Sequence, residues 1–238
     1  MSFDPTNRMA ARTAVPQVGI DEGLRSYMLR VYNYMAGGLA LTGIVAYFAA
    51  ASGIYVSLAH TPLIWLIVLA PLGLVLFLSF RINQMSLGAA QATYWIYAGL
   101  VGLSLGFIFL VYTQASIALT FFACAAMFAG MSLWGYTTKR DLTGMGSFLF
   151  MGLIGIVVAS LINMFVGSPG LQFAISIIGV IVFTGLTAWD TQQIKEMYWA
   201  GDGSVVAGKK AVMGALRLYL DFLNLFLMLL QFVGVRRN

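Results

Sequence analysis

Seven long apolar runs, separated by short polar stretches, divide the chain. They fall at about Val31–Ala51, Leu63–Phe80, Leu87–Tyr112, Ala115–Tyr136, Phe148–Val166, Leu171–Trp189 and Ala211–Val235. Each approaches the about 20 apolar residues a spanning helix needs. None shows the ~10-residue alternation of an outer-membrane barrel strand. The pattern predicts an all-α integral membrane protein, a seven-transmembrane-helix bundle. Small residues recur at helical spacing within the runs, as at Gly99, Gly102 and Gly106, at Ala126 and Gly130, and at Gly152 and Gly155. In lipid such residues let helix backbones approach closely, here chiefly within one chain, so a monomer is expected over a homo-oligomer. Trp65, Trp95, Trp134, Tyr136 and Tyr198 read as interfacial anchors.

Composition narrows the class. Of 238 residues, 61% are hydrophobic and 9% charged, against about 25% charged in a soluble domain. That leaves a polar tail, residues 1–26, expected to be mobile up to about Ile20, and a single transmembrane domain, residues 27–238. The tail lacks the short apolar core of a cleavable signal. The net charge of +5 sits mostly in loops and tails, where topology explains it without nucleic acid. The single cysteine, Cys124, lies inside the fourth run and reads as a buried structural thiol. With no zinc-type cluster, phosphate-binding loop or nucleophile elbow, neither an enzyme nor a resident cofactor is expected.

Charge also orients the chain. Arg8, Arg12, Arg25 and Arg30 precede the first run; Arg81, then Lys139 and Arg140, then Lys195, Lys209 and Lys210 mark the second, fourth and sixth connections. The first, third and fifth carry no Lys or Arg. The positive-inside rule puts the N-terminus and the even connections in the cytosol. Arg236 and Arg237 break the alternation: either the last run crosses despite them, as its length favours, or it re-enters.

Two acids stand out in this setting, Asp190 at the end of the sixth run and Asp221 inside the seventh. An acid at bilayer depth costs about 2.5–3.5 kcal/mol on insertion scales and is by default a functional-site hypothesis. The sixth and seventh helices are plausible antiparallel neighbours, with Asp221 roughly 10 Å deeper at 1.5 Å per residue, a difference that modest tilt can close. Two carboxyls in one low-dielectric site cannot both ionise cheaply. They titrate together and can hold one proton between them. Gln193 and Asn224, each three residues beyond an acid, add polar lining. The structural alternative is that Asp221 merely pairs with Arg217, four residues earlier on the same face, and that Asp190 sits among headgroups. Arg81 reads first as a topology anchor and second as a counter-ion to Asp190. His60 reads as an exposed interfacial residue.

The motifs Gly185-Leu186-Thr187-Ala188-Trp189-Asp190-Thr191-Gln192 and Leu218-Tyr219-Leu220-Asp221-Phe222-Leu223-Asn224-Leu225-Phe226 resemble the two strongest motifs of the transmembrane Bax inhibitor motif family. Trp134-Gly135-Tyr136-Thr137-Thr138-Lys139-Arg140-Asp141-Leu142 is similar to its bacterial branch. The resemblance runs from about Tyr27 to the C-terminus. It implies two three-helix layers around a central seventh helix, and a pH-sensitive calcium leak gated by a proton shared between Asp190 and Asp221, which would hold calcium weakly and transiently. An arginine of the second helix, for which Arg81 is the candidate, would pair with the first acid. Bacterial relatives include modulators of membrane-protein quality control that contact a membrane-bound protease, and a bacterial inner membrane is the implied location. The chain departs from the family at Trp189, where Tyr is usual; the aromatic body is kept and the hydroxyl is lost.

A passive calcium leak is therefore the leading expectation. A non-transporting modulator acting on a membrane protease through the tail and cytosolic loops is the alternative. An intramembrane aspartyl protease would also place two acids on adjacent helices. Those enzymes present the second acid after a glycine-rich turn, whereas Leu218-Tyr219-Leu220 precedes Asp221 here.

Overall fold

The computed structural model describes residues 17–237, with side chains from Glu22 onward. The described residues form helices α1 (Gln17–Ala51), α2 (Ile54–Ala59), α3 (Leu63–Arg81), α4 (Leu87–Ser104), α5 (Gly106–Val111), α6 (Gln114–Thr137), α7 (Thr143–Val166), α8 (Pro169–Glu196) and α9 (Ser204–Val233). Seven spans among them are long and apolar enough to cross a membrane: α1, α3, α4 with α5, α6, α7, α8 and α9.

Several helices outrun their apolar segments. Hydropathy marks the hydrocarbon depth, while helical hydrogen bonding continues into polar turns. Thus α7 begins at Thr143, five residues before the apolar run, and α8 continues to Glu196. Pro169 opens α8 at a position where its missing N–H costs nothing, and the Ser168 hydroxyl accepts from the Leu171 N–H at 3.3 Å. At the other end of the chain α1 already runs from Gln17, inside the stretch expected to be mobile tail. The rest of that tail, residues 1–16 with Arg8 and Arg12, lies outside the described residues.

The helices form two layers, α1, α3 and α4–α5 in one and α6, α7 and α8 in the other, with α9 between them against α1, α4, α6 and α8. Helix α9 buries Leu218, Tyr219, Leu225 and Leu230 almost completely. Outer helices α3 and α7 instead present Trp65, Phe80 and Phe165, the last 84% exposed, as lipid-facing surfaces do. Trp95, 36% exposed, also packs its ring on Tyr34 and Tyr94.

Close approach between backbones depends on two glycines. A Cβ at Gly102 would stand 2.6 Å from the Thr42 carbonyl oxygen, and one at Gly135 would strike the Ala188 carbonyl. Gly99, Gly130 and Gly155 have open space beside them, so only part of the small-residue pattern serves packing within the chain.

The third span is not one helix. It breaks at Leu105, between α4 and α5. Next to the break the Ser104 hydroxyl lies 2.6 Å from the Ile67 carbonyl oxygen in α3, and 2.9 Å from that of Leu100. Ile67 precedes Pro71 by four residues, and proline has no N–H to offer the carbonyl a turn back. In lipid a freed carbonyl needs a protein partner, and Ser104 supplies it.

The bundle has two distinct ends. At one, Tyr198 packs on Tyr27 near the start of α1, Lys209 donates to the Asn83 carbonyl between α3 and α4 at 3.1 Å, and Gln192 reaches the α6–α7 connection. The even connections, with their Lys and Arg residues, gather here. At the other end Gln172 of α8 donates to Gln231 of α9 at 2.6 Å. There the chain after α9 folds back on the α5–α6 connection: Thr113 N–H donates to the Val235 carbonyl at 3.0 Å and Arg237 N–H to the Val111 carbonyl at 2.8 Å. The Arg237 guanidinium donates to the Phe109 carbonyl at 2.9 Å. Helix α9 therefore runs the length of the bundle, and Arg236 and Arg237 end opposite the start of α1.

Candidate functional site

Asp190 lies in the last third of α8, and Asp221 at the middle of α9. The two helices are packed neighbours, and the two carboxyls face each other within hydrogen-bonding reach. Asp221 is 6% exposed and its Oδ2 finds no hydrogen-bond partner among the described residues. A buried carboxylate oxygen left alone is costly. A single proton between Asp190 and Asp221 removes that cost.

Arg217 completes the cluster, differently from the one-helix expectation. Its Nη1 lies 3.8 Å from Asp190 Oδ1, across the interface between helices, and it makes no such pair with Asp221 on its own helix. The guanidinium side chain remains 46% exposed. It sits on the side of the acids nearer the basic end, with one face on the pair and one on solvent.

The other expected members fall elsewhere. Arg81 donates from Nη1 to Gln84 Oε1 at 2.6 Å in its own connection and makes no ion pair with Asp190; the end of α3 packs on α4 rather than reaching α8. Gln193 turns away and donates to Glu196 at 3.2 Å. Asn224 is half-buried one turn beyond Asp221 and makes no side-chain hydrogen bond to either acid. Among the described residues no three His, Cys, Asp or Glu side chains converge. Any cation at the acids would thus need carbonyls, Asn224 and water to complete the 6–8 oxygens calcium prefers.

Around Asp190 successive residues of α8 address different elements, because each step turns the helix by about 100°. Trp189 lies on Gly146 of α7, where any Cβ would enter the indole; its Nε1 is buried without a partner among the described residues. Asp190 faces α9. Thr191 Oγ1 lies 2.9 Å from Ser132 Oγ of α6, which lies 2.6 Å from Tyr32 Oη of α1, and Thr191 itself donates to the Thr187 carbonyl at 2.7 Å. Gln192 accepts from the Leu142 N–H and donates to the Arg140 carbonyl, both at 2.8 Å. Sequence reading chose Gln193 and missed Gln192, Thr191 and Ser132. For Thr191 and Gln192 the signal was positional, adjacency to the acid inside one motif; Ser132, on α6, carried none.

On the other side of α9, Tyr219 lies 2.6 Å from Thr42 Oγ1, which donates to the Ala98 carbonyl at 2.9 Å. Beside Asp221, the Cys124 thiol points at the Phe222 carbonyl at 3.6 Å, the buried structural role expected of it. The acids are thus held on two helices that are each tied to the neighbouring layer.

Residues 24–238 match the family model described as inhibitor of apoptosis-promoting Bax1. The chain belongs to this Bax inhibitor-1-like family. Among relatives, an uncharacterized protein of Rickettsia prowazekii is 52% identical over 92% of this chain and 93% of its own length. The Escherichia coli inner membrane protein YbhL is 51% identical over 90% and 94%. An uncharacterized membrane protein of Streptococcus pyogenes is 37% identical over 90% and 94%. The Bax inhibitor-1-like match covers both acid-bearing helices and the connection that Gln192 grips.

Proposed function

We propose that this chain is a passive, proton-modulated calcium leak of a bacterial inner membrane, with its N-terminus in the cytosol and no catalytic step or resident cofactor. The observation that carries the reading is the contact between Asp190 and Asp221, with Arg217 beside them. One shared proton holds α8 and α9 together at the acids and closes the passage. Its loss places a second negative charge in the same small volume, where repulsion pushes the helices apart and the freed carboxylates attract a cation. The exposed side of Arg217 gives the guanidinium room to swing outward as the pair opens. Two carboxylates are thin provision for calcium, which fits transit better than storage. The inner-membrane location rests on YbhL, and the orientation on the basic end formed by the even connections.

Calcium entry into vesicles of the purified protein, followed from pH 6 to 8, tests this. Wild type should leak more as pH rises, and Asp190→Asn with Asp221→Asn should lose that dependence. Flux no greater than in empty vesicles at every pH would sink the reading.

One surface feature favours the modulator reading as a second possibility. Trp199, in the α8–α9 connection, is 67% exposed, and Val205 and Val206 at the start of α9 are 51% and 47% exposed. These three apolar side chains lie at the basic end and suit a membrane-protease partner. Loss of protease co-purification in Trp199→Ser, with vesicle flux absent throughout, would move this reading to first place.

A further inference from the structure

Helices α1 and α6 face each other across α9 without packing together along most of their length. The space between them is a groove of about 630 Å³. Phe128 and Phe222 line it, and the small residues Ala36 of α1 and Ala129 of α6 leave it open. A smaller section of about 300 Å³, which shares Phe121 and Phe222 with it, reaches Phe226. The two helices are joined across it by the Tyr32–Ser132 hydrogen bond.

We propose that this groove is a binding site for an anionic phospholipid, with one acyl chain lying on Phe222 and the phosphate held at Arg25. Three features of the groove select that occupant. The first is its polarity. Arg25, Tyr32, Ser132 and Tyr136 line the end near the start of α1, and the remainder is apolar. Arg25 and Leu29 are shared with an adjoining polar cleft, which adds Ser26, Arg30, Asn33 and one acid, Glu22. A headgroup compartment thus opens directly into a hydrocarbon compartment.

Length is the second. Arg25 and Ala40 both line the groove, and their separation along α1 is about 22 Å at 1.5 Å per residue. That runs from the headgroup layer through a leaflet, about half of the 30 Å hydrocarbon core. A spanning helix about 10 Å wide and 30 Å long fills roughly 2,400 Å³, several times the groove volume, so a partner helix does not fit inside it.

Charge is the third. Two arginines against one glutamate leave the headgroup cleft positive, and it lies at the bundle end where the other basic residues collect. Basic pockets between spanning helices suit anionic headgroups, and the guanidinium matches phosphate geometry.

Native mass spectrometry of the detergent-purified protein, offered phosphatidylglycerol or phosphatidylcholine of the same chains, tests the site. Wild type should retain one lipid and prefer phosphatidylglycerol. Arg25→Gln should lose about fivefold of that preference, the worth of one basic residue at an anionic surface. Ala36→Phe with Ala129→Phe, both side chains exposed to the groove, should bring the retained lipid down to detergent background. If the filled variant does not fold, Arg25→Gln, an exposed change, decides alone. Undiminished preference in Arg25→Gln, equal retention in a folded filled variant, or a lipid-free mass of two chains in wild type, which would assign the groove to a second copy, overturns the proposal.

Discussion

Arg217 pairs with Asp190 on the neighbouring helix, at 3.8 Å, and not with Asp221 four residues along its own. The arginine therefore stabilises ionised carboxyls from one side of the pair while leaving Asp221 buried behind Asp190. If the acids gate a leak, Arg217→Gln removes a positive charge that favours proton loss. The flux-against-pH curve of this variant should shift to higher pH while keeping its shape. A curve that overlays wild type would show that the guanidinium is a bystander.

Gln192 satisfies two backbone groups of the α6–α7 connection at once. Gln192→Leu leaves the buried Leu142 N–H without a partner, at about 1–3 kcal/mol, and also frees the carbonyl of the exposed Arg140. Thermal unfolding in detergent should show a clear fall in Tm, whereas Gln193→Ala, next door but turned to Glu196 at the surface, should change it little.

Gly135 and Gly130 stand less than two turns apart on α6 and should respond oppositely to the same change. Gly135→Ala drives a methyl into the Ala188 carbonyl, an overpacking that costs typically about 1–3 kcal/mol. Gly130→Ala meets nothing within 4 Å and should be neutral or stabilising by roughly 0.5–1 kcal/mol through helix propensity. Equal effects on detergent stability would contradict the helix contact.

Ser104 and Pro71 should be coupled. Ser104→Ala strips the Ile67 carbonyl of its partner and should cost about 0.6–2 kcal/mol, the range for interhelical hydrogen bonds in membranes. In Pro71→Ala the restored N–H can serve that carbonyl, so the same serine change should cost less. A double-mutant cycle on unfolding reads the difference.

Asp141 supplies a pH-dependent contribution at the exposed start of α7. Hydrogen bonds from the Thr143 side chain and backbone N–H hold its carboxyl below the ordinary value of 3.8, and the backbone contact is 2.8 Å. Because the folded value is the lower, the stabilisation is fully present above 3.8 and is lost as pH falls through the folded value. Asp141→Ala should melt below wild type at pH 7, and the gap should close in strong acid.

The seven spans were legible because hydrocarbon depth imposes a length and a composition on any helix that crosses it. Their polar extensions, such as the last turns of α8, were not, since hydropathy falls before helical hydrogen bonding ends. At the site, Asp190, Asp221 and Arg217 could be picked from the chain because charge is conspicuous in an apolar run. The pairing was another matter. Spacing on one helix reports only neighbours on that helix, which made Asp221 the visible partner of Arg217 and hid Asp190. The same limit chose Gln193, which shares a face with Asp190, over Gln192, which points to another connection and ties it. Arg81 was drawn to the site as a candidate counter-ion and again by the resemblance, and its bond to Gln84 keeps it in its own connection. The groove between α1 and α6 left no trace in the pattern, because an absent contact has no sequence period.

The central position of α9 has a consequence for biogenesis. This helix follows the other six in the chain, so the ribosome makes it after all the elements that pack on it. Until it arrives, two half-built sheets of helices must wait in the bilayer with polar groups such as Thr42, Gln172 and Asp190 still lacking their final neighbours. A chain halted before Ser204 would leave those groups permanently unmatched, which makes the late arrival of one helix the point at which a nascent bundle becomes either a finished protein or a substrate for degradation.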